Sequence, residues 1–514
     1  MLATGQAGDS CQSETDCAPG LACGIDGTQG TQVISTCTAH NQGRPAGSAC
    51  ETDEQCSNHT CALGMCVDLC RETRDCISGA GCMQVPIVDN SVSPATVGGT
   101  FNGCLPNRGS IVWDIPVSST SAEIALPIPG NAESATVVFS VSDTAQLVGA
   151  SLVLKPEEEK TPPETLEDRI LYTKPCVPTG PTDPVCSESV RRNQYFSNEL
   201  RHLPAPGQSV LQIPTSTMPG SKATKLYTGQ AYRITTQSFR PNGAIGSSIP
   251  RVTAIVKMDK SVNLDLNFHF LDLDDHPCKA AFGGGTLNAA LASTAPFFQE
   301  NTDEANVEDN TYLEELKQIL ADGGIALYRT TYTDVRNRPD LDGLARADAG
   351  TLLSLGTHST GIDIFFVRTI TPVGIQAIGP NPGPAGLRGT RESGIAISID
   401  SMCDDFDPDK TDPNKRWRPA WRKLARLTAH MVARYMGLYN TVELENFVER
   451  SMSPAPTPPR YSTWQDQIGD TVLDNEAPSP YNLMFFSEIK GIKDLRTVLT
   501  KEQKGILTRN AVLR

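Results

Sequence analysis

A helical histidine can hold a catalytic zinc when a second donor lies one turn away and a carboxylate between them takes a proton from the metal-bound water. The segment from Leu424 to Glu443 offers the start of such a set: His430, followed seven residues later by Gly437. The positions that would complete the chemistry hold other residue types. Met431, beside the histidine, has no group basic enough to accept the proton. Arg434, one turn on, is permanently cationic and would stand where a dication should bind. Asn440 offers a carbonyl oxygen, a weak, hard donor poorly suited to zinc. Three protein ligands and an open position are needed. One imidazole does not suffice, so neither a catalytic residue nor a bound metal is expected here.

The element that carries these residues reads as a helix. Trp417, Trp421, Leu424, Thr428, Met431, Tyr435 and Leu438 recur at steps of three and four, the spacing of an amphipathic helix. On that pattern alone His430 is a structural histidine and Gly437 an ordinary helix stop. Upstream, Leu264–Leu271 alternates apolar residues as a strand does, and Leu313, Leu316, Ile319 and Leu320 share one helical face. Gly324–Tyr328 and Gly361–Val367 read as buried strands. Thr500 and Gln503 have the spacing of a capping box opening a last helix.

His430, Met431, Arg434, Gly437 and Asn440 occupy the positions of the pattern H-E-x-x-H-x-x-G-x-x-H, and the segment resembles a metzincin active-site helix that has lost its metal site. The resemblance runs from about Val262 to Arg514. Gly389–Ser398 is similar to the edge strand above the cleft in secreted bacterial metzincins. Gly469–Thr471 resembles the Asp-Thr loop, and Tyr481–Met484 the Met-turn, of the pappalysin and leishmanolysin-like branch. Leu499–Leu507 resembles the closing helix. The resemblance implies a zincin-like α+β domain with a pseudo-site of His430, Arg434, Gly437, Asn440 and Met484. Two placements of Arg434 stay open: its guanidinium fills the vacated zinc position, neutralised by Glu443 or Asp470, or it runs along the cleft wall to solvent.

Twelve of the 16 cysteines fall in three similar units: Cys11, Cys17, Cys23 and Cys37; Cys50, Cys56, Cys61 and Cys66; Cys70, Cys76, Cys82 and Cys104. Each opens Cys-x5-Cys with acids in the intervening segment. So short and apolar-poor a region builds no ordinary core, and disulfides are expected to staple it. It resembles the cysteine-rich repeats of secreted bacterial proteins, loosely dickkopf or colipase-type modules. A zinc ribbon is the rival, because Cys61, Cys66 and Cys70 approach ligand spacing, although paired Cys-x2-Cys knuckles are absent. Connectivity is not legible. Cys176 with Cys186, and Cys278 with Cys403, are further candidate pairs by parity and proximity.

Between these regions the pattern is β. Ala122–Pro127, Ala135–Val141, Ser151–Leu154, Ser209–Ile213, Gln230–Thr236 and Arg251–Lys257 are short, β-branched and punctuated by Gly, Pro or Ser, as in an antiparallel sandwich or jelly roll. Lys155–Glu164, rich in Glu and Pro, reads as a loop or flexible insertion.

Other chemistry is thin. Asp404–Asp412 could gather calcium but lacks the Gly and terminal Glu of an EF-hand loop. Asp272–His276 reads as a solvated acidic turn, and the basic run from Lys415 to Arg426 as a solvated helix face. His358-Ser359-Thr360 stands too isolated for a serine triad. No phosphate loop and no Gly-x-Ser-x-Gly elbow is present.

The 514 residues divide into three expected parts: 1–104 cysteine-rich repeats, 105–261 a β-sandwich, and 262–514 the zincin-like domain. The net charge of −15 makes nucleic acid or an anionic membrane an improbable partner, and no run reaches membrane-spanning length. Residues Met1–Gln6 lack the regions of a signal peptide, so an export signal is expected to have been removed. The expected function is that of an extracellular or cell-surface pseudoprotease that binds protein, peptide or glycan as a scaffold or adhesive component. Two alternatives stand beside it: an active zinc peptidase with an unconventional ligand set, and a structural subunit of a self-assembling extracellular array.

Overall fold

In each cysteine unit the first cysteine pairs with the third and the second with the fourth: Cys11–Cys23 and Cys17–Cys37, Cys50–Cys61 and Cys56–Cys66, Cys70–Cys82 and Cys76–Cys104. Three hairpins make this possible: β1 (Leu21–Gln29) with β2 (Gln32–Ala39), β3 (Cys61–Ala62) with β4 (Met65–Cys66), and β5 (Ala80–Asp89) with β6 (Thr96–Pro106). Their registers set Cys23 opposite Cys37, Cys61 opposite Cys66 and Cys82 opposite Cys104, so both strands of each hairpin bond back to the preceding turn. The last residue of each Cys-x5-Cys segment closes that turn. Asp16 accepts the backbone N–H of Gln12 at 2.8 Å, Gln55 that of Glu51 at 2.9 Å, and Asp75 that of Arg71 at 2.9 Å. Asp16 and Asp75 are therefore turn locks, with Gln55 in the same role, and the zinc-ribbon reading fails because Cys61, Cys66 and Cys70 are each in a disulfide with a different partner.

This computed structural model describes residues 5–30, 32–158, 162–173, 207–214, 225–240, 245–271, 273–274, 276, 285–295, 298–299, 311–358, 360–372, 375–387, 389–390, 393–400, 421–438, 482–484 and 497–514. Cys176, Cys186, Cys278, Cys403, Asn440, the Asp404–Asp412 run and the Gly469–Thr471 loop lie outside the described residues, as do Glu443 and Asp470.

Two four-stranded antiparallel sheets follow. Their strands are β7 (Ser110–Ile115), β8 (Ser121–Ile128), β9 (Ser134–Ser140), β10 (Leu147–Leu154), β11 (Ile170–Thr173), β12 (Gln208–Ile213), β13 (Gln230–Phe239) and β14 (Arg251–Lys257). One sheet has the order β11-β10-β13-β8 and the other β12-β9-β14-β7. Their apolar residues, among them Ile124, Val137, Phe139, Leu211, Ile234 and Val252, form one cluster that also takes in Cys11, Cys17, Cys23 and Cys37. The cysteine-rich region thus shares a core with the sandwich. Lys155–Glu164 is a loop over its described residues, and its ends are tied together: the buried Lys155 ammonium lies 2.6 Å from Glu164 and 3.0 Å from Glu158.

The C-terminal part is built on a mixed five-stranded sheet. Its strands are β15 (Asn263–Phe270), β16 (Ala326–Asp334), β18 (Ile362–Val367), β20 (Ala377–Ile378) and β21 (Gly394–Ser398), with β17 (Gly343–Ala345) and β19 (Thr369–Thr371) pairing apart from it. The order is β16-β15-β18-β21-β20, parallel throughout except for β20, which runs antiparallel to β21. Gly394–Ser398 is therefore an inner strand, and the edge is formed by the shorter Ala377–Ile378. The helices Tyr312–Asp322 and Trp421–Tyr435 join the sheet in one large apolar cluster. Trp421–Tyr435 is amphipathic with a wide apolar face: Leu424, Ala425, Leu427, Thr428, Ala429, His430, Met431, Val432, Ala433 and Tyr435 are buried, and Arg422, Lys423, Arg426 and Arg434 are only partly so.

The closing segment stitches the sandwich to this part. After the helix Lys501–Leu507, with the Thr500/Gln503 capping box in place, the Asn510 amide donates to Gln212 of β12 and to the Met436 carbonyl. Lys257 of β14, fully buried, donates to the carbonyls of Ser261 and Thr508. Ser134 donates to the Arg509 carbonyl.

Candidate functional site

His430 sits two turns from the end of its helix and is 4 % exposed. Its Nδ1 lies 2.8 Å from the carbonyl oxygen of Leu483. A carbonyl only accepts, so Nδ1 carries a proton and donates it to this bond. Leu483 and Met484 are held by Asn482, whose side-chain oxygen accepts the Met484 N–H at 2.8 Å and whose amide donates to Gln503 at 3.0 Å. Buried Met484 thus lies next to the histidine's partner.

Met431 is 4 % exposed and points beneath the edge strand; a methyl group on Gly379 would come within 3.1 Å of its terminal carbon. Arg434 is half-buried. Gly437 ends the helix with φ +102°, where an added side chain would collide with the Gln212 amide of the sandwich. Asn381 closes the helix from the other side, its amide nitrogen donating to the Leu438 and Arg434 carbonyls once oriented to satisfy both. Met431 is thus packed as a buried thioether and Arg434 carries a cation one turn from His430. These residues do not fit a zinc ion, and no metal-assisted step follows from them.

The sequence missed a second polar cluster on the same sheet. Along β15, Leu266, Phe268 and Phe270 face the helices, where Phe268 meets Phe298 and Tyr312 and Tyr312 donates to Thr428. Alternation sends Asp265, Asn267 and His269 to the opposite face. Parallel registry puts Asn267 between Thr331 of β16 and Asp363 of β18. His269 Nε2 is 2.7 Å from Asp363 Oδ1, and His358 Nδ1 is 2.9 Å from the same oxygen. Asp265 lies 2.6 Å from the Arg514 guanidinium and accepts from Thr360 at 2.7 Å. His358, which looked isolated in sequence, belongs to this cluster. The available signal was the strand itself: three polar residues at alternate positions within an otherwise buried apolar run, and an acid, Asp363, inside Ile362–Val367.

Two other features expected at the surface are partly buried. Arg426 donates to Glu315 of the Tyr312–Asp322 helix at 3.0 Å, so this end of the basic run is an ion pair between helices. In the Asp272–His276 turn Asp274 is exposed, as expected of a solvated acid, while Leu273 and His276 are fully buried. An open groove of about 1620 Å³ runs between the second cysteine unit and the β7/β14 side of the sandwich. Glu51, Asp53, Asp89 and Asp114 line it against Arg44 and Arg251, and burial pushes the Asp53 carboxyl up.

No protein-family model matches the chain, and no curated protein matches it in sequence. Among the described residues no helix is long and apolar enough to cross a membrane.

Proposed function

We propose that this chain is an exported pseudoprotease: a zincin-like domain without catalytic zinc, carried on a sandwich and a disulfide-stapled repeat region. Its role is to bind extracellular protein or peptide, as a scaffold or adhesive component at the cell surface. The observation that carries the reading is the surrounding of His430. A helix beneath an antiparallel edge strand brings His430 to the Asn482–Met484 turn; this supports a metzincin-like reading, in which Met431 and Arg434 would take the base and ligand positions. The six disulfides among the described residues favour an oxidising compartment.

The test is hydrolysis of a quenched-fluorescent peptide pool by the disulfide-intact chain, with and without chelator. The reading expects no chelator-sensitive cleavage. Cleavage that disappears in His430→Ala would return the chain to the active peptidases.

A further inference from the structure

The sheet face opposite the His430 helix carries its own donor set, and we propose that His269, His358 and Asp363 bind one divalent transition-metal ion, zinc by ligand type. The two imidazole nitrogens and one carboxylate oxygen lie within 4.8 Å of one another. The side chains of His269 and Asp363 are 4 % exposed, whereas that of His358 is 25 % exposed and opens the cluster to solvent.

Two imidazole nitrogens converge on a single carboxylate oxygen of Asp363. An imidazole lone pair facing a carboxylate oxygen at 2.7 or 2.9 Å is repulsive, so each gap must hold a proton or another cation. Around His358 the outer contacts fix which nitrogen is left for it. The Asn267 amide donates to the Thr360 carbonyl at 2.9 Å, which turns its oxygen toward Thr331. The Thr331 hydroxyl donates to that oxygen at 2.8 Å. Its single proton is then used, so its oxygen can only accept from His358 Nε2–H at 3.2 Å. Nδ1 is thereby left facing Asp363, as the nitrogen available to a metal.

This is the outer arrangement that metal-binding histidines have: one nitrogen for the ion, the other N–H held by a fixed acceptor. His269 is held flat by stacking on Phe365, 4.5 Å between centroids and 14° between planes. The backbone passes Asp363 so closely that a side chain on Gly356 would collide with its second oxygen. Two imidazoles and a carboxylate with one open position are a zinc donor set. Bonds of about 2.0–2.1 Å place tetrahedral ligands about 3.3 Å apart. Each imidazole nitrogen must therefore draw back from the carboxylate oxygen by about half an ångström, and His358, reaching the surface, has room to move.

The test is titration of the chelator-stripped, disulfide-intact chain with cobalt(II), followed by its visible absorption and by zinc competition. The native chain and His430→Ala should each bind one equivalent at this site. His358→Ala should weaken binding at least about tenfold, and Thr331→Val, which removes only the outer acceptor, by about tenfold. Near-UV circular dichroism of His358→Ala checks that its fold is retained. Absence of stoichiometric binding overturns the proposal, as does binding that survives His358→Ala or that is lost in His430→Ala instead.

Discussion

His430 gives its Nδ1 proton to the Leu483 carbonyl 2.8 Å away, and this bond ties the buried helix to the Asn482–Met484 turn. It has structural value without any metal. Replacing the ring by an isosteric hydrocarbon leaves a buried carbonyl unpaired, so His430→Phe should lose about 1–3 kcal/mol of stability. Denaturant unfolding measures this. An unchanged midpoint would mean that the bond contributes nothing.

Gly437 is required for two separable reasons. At φ +102° any other residue is strained by about 1–3 kcal/mol, and a β-carbon there also meets Gln212. Gly437→Ala should therefore be more destabilising than strain alone explains. Adding Gln212→Ala should recover the collision but not the strain, giving a measurable coupling in a double-mutant cycle. Additive effects would show that the helix end and the sandwich do not touch.

Much of the layout was legible because periodicity reports burial. Strands β8, β9, β12, β13 and β14 lie where β-branched runs predict them, and the capping box at Thr500 and Gln503 is as its spacing implies. β7 and β11 escaped notice: β7 is interrupted by exposed Val112, and β11 is only four residues long. The edge of the C-terminal sheet was misassigned because a two-residue strand, Ala377–Ile378, has too few residues to show a period. The His269–Asp363–His358 cluster depends on strand registry across the sheet, which a linear pattern does not contain.

Lys257 joins β14 to the closing segment. Burial lowers its pKa from 10.5 to about 8, against the opposing pull of Asp259 and Glu133. Between these values the unfolded chain holds a proton that the folded chain does not, so stability rises with pH across the window. The slope is about 1.4 kcal/mol per pH unit, giving a gain on the order of 3 kcal/mol that is complete above the unfolded value. Chemical denaturation from pH 7.5 to 10.5 should show this difference between native protein and Lys257→Met. Parallel curves would contradict it.

The first cysteine unit shares its apolar cluster with the sandwich, so reduction should be felt beyond the repeats. Each closed loop contributes about 3 kcal/mol to stability. After reduction, hydrogen exchange should accelerate in β8 and β13 as well as in the hairpins. Protection unchanged in those two strands would mean that the repeats fold as an independent unit.

The central claim is that the His430 helix keeps the frame of a zinc site without its chemistry. Metal stoichiometry of the disulfide-intact chain, compared with Met431→Glu/Arg434→His/Asn440→His, tests it most directly. The account predicts that the triple variant gains one zinc equivalent over the native chain and loses it again when His430→Ala is added. A native chain that already holds an equivalent removable by His430→Ala would contradict the account.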